Sequence, residues 1–296
     1  MNLTFSSFKS IIPSILGLFL FSIACNSSQS NSEESAVPVK TEPVLTMDWK
    51  TDTVFTGSES TLYDPVSKAI YVSSGNTKSS LKDGDGFISK IRPDGTIDNL
   101  KWVVDLNAPK GMAINDHKLY VSDIDEILGI NLNDGSIAER IAVDSAKFLN
   151  DVCTDGEYIY FSDMRANTVY RLKDGQYEAI AENVPNINGL ECHAGQLYGL
   201  CKEGLVKFNA DGSYTTLNTE VLGGDGLVIL NDTTFIASRW GGQIFYISGS
   251  KTTLLVDTQE EKSNTADITF VPETQQVIVP TFLKNEVASY SLSFEE

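Results

Sequence analysis

A short pattern recurs six times along this chain, and that recurrence restricts the fold more than any other feature. Each copy opens on a turn, enters an apolar strand, crosses a polar hairpin tip and returns in a second strand. The copies read ESTLYDPVSKAIYVS from Glu59, KGMAINDHKLYVSD from Lys110, NDVCTDGEYIYFSD from Asn150, NGLECHAGQLYGLC from Asn188, DGLVILNDTTFIAS from Asp225 and ADITFVPETQQVIVP from Ala266, at spacings of 37 to 51 residues. A third strand follows most of them (ILGINL, TVYRLK, GLVKFN, QIFYIS, VASYSL), and turns such as Asn133-Asp134-Gly135, Lys173-Asp174-Gly175 and Ala210-Asp211-Gly212 close the units. Val, Ile, Tyr, Phe and Thr dominate the strands and alternate with polar residues in KLYVSD and EYIYFSD. Short antiparallel strands repeating at this period predict an all-β, six-bladed β-propeller with four strands per blade. No stretch carries an amphipathic helical period, which argues against βαβ folds.

The first blade is the longest, and its excess is the Gly/Ser/Asp loop SSGNTKSSLKDGDG at 73–86. The last has three strands before the chain ends. Its fourth is expected from VLTMDWKTDTVF at 44–55, so that the N-terminal strand closes the ring and hides two sheet edges. The propeller is therefore expected to occupy 44–296.

Two other segments precede it. IIPSILGLFLFSIA at 11–24 is too short to span a bilayer comfortably, contains Pro13 and follows Lys9. It reads as a signal peptide over 1–24. Ser22-Ile23-Ala24-Cys25 resembles a bacterial lipoprotein cleavage box, which implies an acylated Cys25 as the first mature residue. Ordinary secretion, with Cys25 discarded, is the other reading. Residues 25–43 are rich in Ser, Asn and Glu and are expected to be a disordered tether. The body is then extracytoplasmic, on the cell envelope, meeting the membrane only through its anchor. That location permits a disulfide among Cys153, Cys192 and Cys201, with no pair singled out.

Charge and composition exclude some functions. Forty acidic against 22 basic residues give a formal charge of -18, which repels phosphate backbones and disfavours nucleic-acid partners. With His117 and His193 as the only histidines and no CxxC pair, few routes remain to a His-based triad, a multi-His zinc site or a thioredoxin-like centre. A monomeric protein acting on a small molecule is expected.

In a propeller the first strand of each blade lines the central channel, and its first residues surround one mouth. Those positions here are Glu59, Lys110, Asn150, Asn188, Asp225 and Ala266. Two carboxylates and two amides converging in a water-filled cup suit a hard divalent cation, calcium first, with zinc or magnesium as alternatives. Asn-Asp and Asn-Gly are also ordinary turn residues ahead of a strand. Arg165 and Arg239 follow the second strands of blades three and five, near the cup, where either could bind an anionic substrate or form a surface salt bridge. His117 and His193 fall in hairpin tips on the opposite face. Asp83-Gly84-Asp85-Gly86 lacks the spacing of a calcium loop and reads as a turn. Asp123 and Asp163, ending YVSD and YFSD, read as strand-end caps.

Over 44–296 the chain resembles the SMP-30/gluconolactonase group, including luciferin-regenerating-enzyme-like propellers. The resemblance rests on Gly57-Ser58-Glu59-Ser60-Thr61 opening blade one, Asn150-Asp151 opening blade three, Asn188-Gly189-Leu190 opening blade four, Asp225-Gly226 opening blade five and Arg239-Trp240-Gly241-Gly242 within blade five. It implies Glu59, Asn188 and Asp225 as metal ligands, with Asn150 on the ion or the substrate and Asp225 also the general base. The chain departs from the pattern at Phe148, where sugar-lactone members carry arginine, and at Thr61, where proline is usual. The implied chemistry is metal-dependent hydrolysis of a lactone, such as a sugar-acid derivative, or of a related cyclic ester. The ion would polarise the carbonyl, and Asp225 would take the proton of the attacking water. Two alternatives stand beside it: a non-catalytic propeller that binds a ligand or protein partner and keeps a structural or vestigial ion site, and a strictosidine-synthase-like relative, against which Glu59 argues.

Overall fold

A computed structural model describes residues 41–295. The segment expected to hold the signal peptide and Cys25, and nearly all of the expected tether, lie outside the described residues. The first strand begins at Glu42, slightly ahead of the expected start of the body.

The described residues form six four-stranded antiparallel sheets, the blades of a β-propeller. Blade one is β2 (Ser58–Asp64), β3 (Ala69–Ser74), β4 (Gly86–Ile91) and β5 (Ile97–Leu106); blade two is β6 (Pro109–Asn115), β7 (Lys118–Asp123), β8 (Glu126–Asn131) and β9 (Ile137–Ala142). Blade three is β10 (Leu149–Thr154), β11 (Ile159–Asp163), β12 (Thr168–Lys173) and β13 (Gln176–Ala181); blade four is β14 (Leu190–His193), β15 (Gln196–Cys201), β16 (Gly204–Phe208) and β17 (Tyr214–Asn218). Blade five is β18 (Leu227–Asn231), β19 (Thr234–Arg239), β20 (Gln243–Ser248) and β21 (Lys251–Asp257). Blade six joins the two ends of the body: β22 (Thr269–Val271), β23 (Gln276–Pro280) and β24 (Val287–Glu295) are completed by β1 (Glu42–Lys50), which pairs with β24 from Glu42↔Glu295 to Lys50↔Ala288. The expected closure by the N-terminal strand is thus present: β1 covers the outer edge of β24, becomes the outermost strand of blade six and ties the two ends of the body together.

The innermost strands neighbour one another in turn, from β2 through β6, β10, β14 and β18 to β22 and back to β2. The core is divided into six, each part lying between adjacent blades. Val72, Ile70 and Ile91 of blade one meet Val271, Ile278 and Val287 of blade six, and Cys153 and Val169 of blade three meet Leu190, Val206 and Phe208 of blade four. Covered on both faces, the middle strands are buried almost throughout, as in β3, β4 and β16. The outer strands bury little, as in β9, where every second residue is exposed.

A serine in each of several second strands fastens one blade to the next at the axis. Ser162 Oγ donates to Asn188 O (2.7 Å) and accepts from Asp151 N (2.9 Å). Ser238 Oγ donates to Ala266 O (2.6 Å) and accepts from Gly226 N (2.8 Å), and Ser122 Oγ donates to Asn150 O. These are the serines of YVSD, YFSD and FIAS, so one feature of the repeat sets the spacing of the axial strands. Close approach also requires Gly189 and Gly226. A Cβ at Gly189 would collide with Asp225 O, and one at Gly226 with Ile268 N.

Candidate functional site

The residues that open each copy surround one mouth of the axial channel. Glu59, Lys110 and Asn150 are the second residues of β2, β6 and β10, while Asn188, Asp225 and Ala266 stand just ahead of β14, β18 and β22. Backbone bonds across each blade hold the last three: Asn188 N to Leu200 O (2.9 Å), Asp225 N to Ser238 O (2.8 Å) and Ala266 N to Pro280 O (3.2 Å).

Three of the expected site side chains form a hydrogen-bonded arc. Asn150 Nδ2 donates to Asn188 Oδ1, and Asn188 Nδ2 donates to Asp225 Oδ1 at 2.9 Å. Asp225 is 4% exposed. Its pKa lies well above the ordinary aspartate range because it is buried and because the charges of Glu59 and Asp267 oppose its own, with the Asn188 bond pulling the other way. Glu59 completes the group. Burial pushes its carboxyl up to about 7, against the attraction of Lys110. The four expected metal ligands are therefore coupled at one mouth, three by direct hydrogen bonds and Glu59 through its charge.

Lys110 is the residue to which the sequence reading gave no role. It is 1% exposed. Its Nζ donates to Ala108 O (2.7 Å) and lies 4.8 Å from the centroid of the Phe148 ring. Burial lowers its pKa, and Glu59 and Asp123 restore part of the loss. An internal ammonium thus faces the Glu59 carboxylate. Arg165 stands over the same Phe148 ring, 4.4 Å from its centroid, and its charge is felt by Lys110. Phe148, at the position where the resemblance expects arginine, is thus flanked by two cations. Arg239 instead donates Nη1 to Gln243 Oε1 (3.0 Å) within its own hairpin.

A recess of about 10 Å³, room for roughly one water, lies beside Glu59 and Lys110 and is bounded by Asn76 and Ser79 of the blade-one loop and by Phe282. Phe282 packs edge-on against Trp240, with ring centroids 5.9 Å apart. The remaining sequence features hold structural positions. Asp123 accepts from Asn107 N (2.8 Å) and Ala108 N (2.7 Å), and Asp163 accepts from the backbone of Lys147, Phe148, Arg165 and Ala166. Asp83 takes Asp85 N at 3.2 Å in an exposed turn. His117 is exposed at a tip, and His193 lies 3.3 Å from Asp232. Cys153, Cys192 and Cys201 are free thiols, but Cys153 Sγ and Cys192 Sγ stand 2.9 Å apart across the boundary between blades three and four.

The ring can offer a metal two carboxylates and two amide oxygens, which is hard-donor chemistry suited to calcium or magnesium more than zinc. Among the described residues no three His, Cys, Asp or Glu side chains group around one point, so an ion here depends on the amides. The residues fit such an ion, and Lys110 competes with it for Glu59.

A family model described as a domain of unknown function (DUF5074) matches residues 96–285, and the chain belongs to that family. The match runs from the outer strand of blade one into blade six. No curated protein matches the chain. Among solved structures it is similar to a gluconolactonase from Xanthomonas campestris (TM-score 0.62, 15% identity, covering 86% of this chain and 98% of that one). It is also similar to a luciferin-regenerating enzyme (TM-score 0.60, 17% identity, 84% and 95%) and to virginiamycin B lyase from Staphylococcus aureus (TM-score 0.60, 12% identity, 84% and 99%). At these identities the likeness is one of fold.

Proposed function

We propose that this propeller hydrolyses a lactone or a related cyclic ester at the ring of Glu59, Lys110, Asn150, Asn188 and Asp225. The observation that carries the reading is the buried Asp225 carboxylate, fixed through one oxygen by Asn188 and beside the charge of Glu59. Its raised pKa makes it a stronger base than a surface aspartate, suited to taking a proton from an attacking water. Asn188 aims Asp225, and Asn150 aims Asn188. Lys110 brings positive charge to the same mouth, where a carbonyl oxygen gaining negative charge would be stabilised. Arg165, held over Phe148, would meet the carboxylate of a sugar acid, and Arg239 would contribute only by leaving Gln243.

A divalent ion, calcium by preference, would be held by Glu59, Asn188 and Asp225 with Asn150 beside it, and when bound would supply Lewis-acid polarisation of the carbonyl. In this reading the protein is a monomeric envelope lipoprotein anchored through Cys25, its body outside the cytoplasm.

One observation favours a non-catalytic, ligand-binding propeller. The recess at the ring is about 10 Å³, so a lactone enters only if the blade-one loop or Phe282 moves. The deciding experiment is a lactone-hydrolysis panel with and without chelator, run alongside Asp225→Asn. Turnover that is lost with chelator and in the folded variant supports hydrolysis. No turnover, or a rate unchanged in Asp225→Asn, refutes it.

A further inference from the structure

The axial channel holds a second chamber on the hairpin-tip side of the ring, with a volume of about 360 Å³. That is the size of a small-molecule pocket. Much of its wall is apolar, including Leu62, Met112, Leu230 and Phe270, and three carboxylates (Asp151, Glu191 and Asp267) also line it. No lysine or arginine is among the lining residues, and His193 at the tip end is already beside Asp232. Lys110 belongs to the other mouth, where it faces Glu59.

The carboxylates are held in place without being neutralised. Asp151 accepts from Leu190 N (2.5 Å) and Val152 N (2.7 Å), Glu191 accepts from Cys192 N (3.0 Å), and Asp267 accepts from Ser60 Oγ (2.5 Å). All these donors are uncharged. Asp151 is buried and Glu191 and Asp267 are half-buried in the chamber wall, and carboxylates partly withdrawn from water favour a proton or a counter-cation. A compact metal ion does not answer that need, because no three acid, His or Cys side chains among the described residues are placed to hold one. An apolar wall would also be of no use to a bare ion.

We infer that this chamber binds an organic ammonium, a primary or secondary amine on an apolar alkyl or aryl body, with its charge at Asp267 and Glu191 and its body against Leu62, Met112 and Phe270. The carboxylates then gain the counter-charge the protein does not provide, and the body covers the apolar wall. The raised pKa of Glu191, about 7, agrees with a site lacking a cation. The inference does not depend on hydrolysis at the ring.

The test is calorimetric titration of the full chain at pH 8 with hexylammonium, using 1-hexanol and hexanoate as shape-matched controls. Saturable hexylammonium binding is expected, with hexanol at least tenfold weaker and hexanoate undetectable. Glu191→Gln and Asp267→Asn should each weaken binding at least tenfold. Near-UV circular dichroism checks that each is folded, and either variant alone suffices. A Met112 methyl shift on titration should place the ligand. Absence of saturable binding, equal binding of hexanol, full affinity in a folded Glu191→Gln or Asp267→Asn protein, or displacement by calcium would each overturn the inference. So would affinity lost in Glu59→Gln but kept in Glu191→Gln, since the cation would then sit at the ring.

Discussion

Replacing Glu191 by glutamine should make the protein more stable at alkaline pH. Glu191 lies in β14 on the wall of the tip-side chamber. Burial raises its carboxyl from 4.5 to about 7, and the Cys192 N–H opposes the rise. The folded state therefore holds this proton more tightly than the unfolded chain does. The stability linked to it is complete below about pH 4.5 and is lost as the pH rises through about 7. At about 1.36 kcal/mol per pH unit, the span amounts to about 3 kcal/mol. That is a ceiling, because the carboxylate borders a chamber that water can reach. Glutamine keeps an oxygen for the Cys192 N–H and has no proton to lose. Urea unfolding of both proteins from pH 4 to pH 9 should show the variant gaining on the wild type by up to this amount, nearly all of it before pH 8. Parallel stability curves would refute the reasoning, and so would a wild type that gains on the variant as the pH rises.

Three further outcomes are expected. Gly189→Ala should cost about 1–3 kcal/mol, read by urea unfolding, because its Cβ meets the Asp225 carbonyl. Asp163→Ala should cost more than about 3 kcal/mol by the same assay, since four backbone amides lose one buried acceptor. Treatment with a small organic disulfide should join Cys153 to Cys192, the protein giving up two hydrogens as the reagent is reduced to two thiols. Mass spectrometry should find that cross-link and a free Cys201, whereas a bridge involving Cys201 would contradict the 2.9 Å Cys153–Cys192 approach.

The fold was legible because a propeller writes its geometry into the chain at a fixed interval. Each blade is packed between two others, so its middle strands are apolar on both faces, and the same serine fastens blades two, three and five to the next blade. Closure by β1 was legible for a related reason: a last blade with three strands needs a fourth, and only the segment before Glu59 was unassigned. The ring was legible as a set of positions, since six equivalent starts must meet at an axis. The choice among the three thiols was not. Cys153 stands three residues after the ring residue of its repeat and Cys192 four after its own, and which side of a blade a thiol faces, and which neighbour it meets, are settled by packing between blades.

The position immediately after each ring residue shows how the rest could have been read. It carries Ser60, Gly111, Asp151, Gly189, Gly226 and Asp267 in blade order. The glycines and aspartates are complementary across blade boundaries: a Cβ at Gly111 would strike the Asp151 side chain, and one at Gly226 would strike the backbone of Asp267 and Ile268. Residues that look like turn glycines one blade at a time are, taken around the ring, the space into which the next blade's backbone fits and, at Gly111, its Asp151 side chain. The same comparison explains Lys110. Its column otherwise holds Glu59, Asn150, Asn188, Asp225 and Ala266, so it is the one cation among polar and small groups. A buried ammonium is stable there only with an anion facing it, and Glu59, in the adjacent blade, supplies that anion. The ring therefore carries part of its own counter-charge, whereas the tip-side chamber carries none. The two ends of one channel are suited to different ligands for that reason.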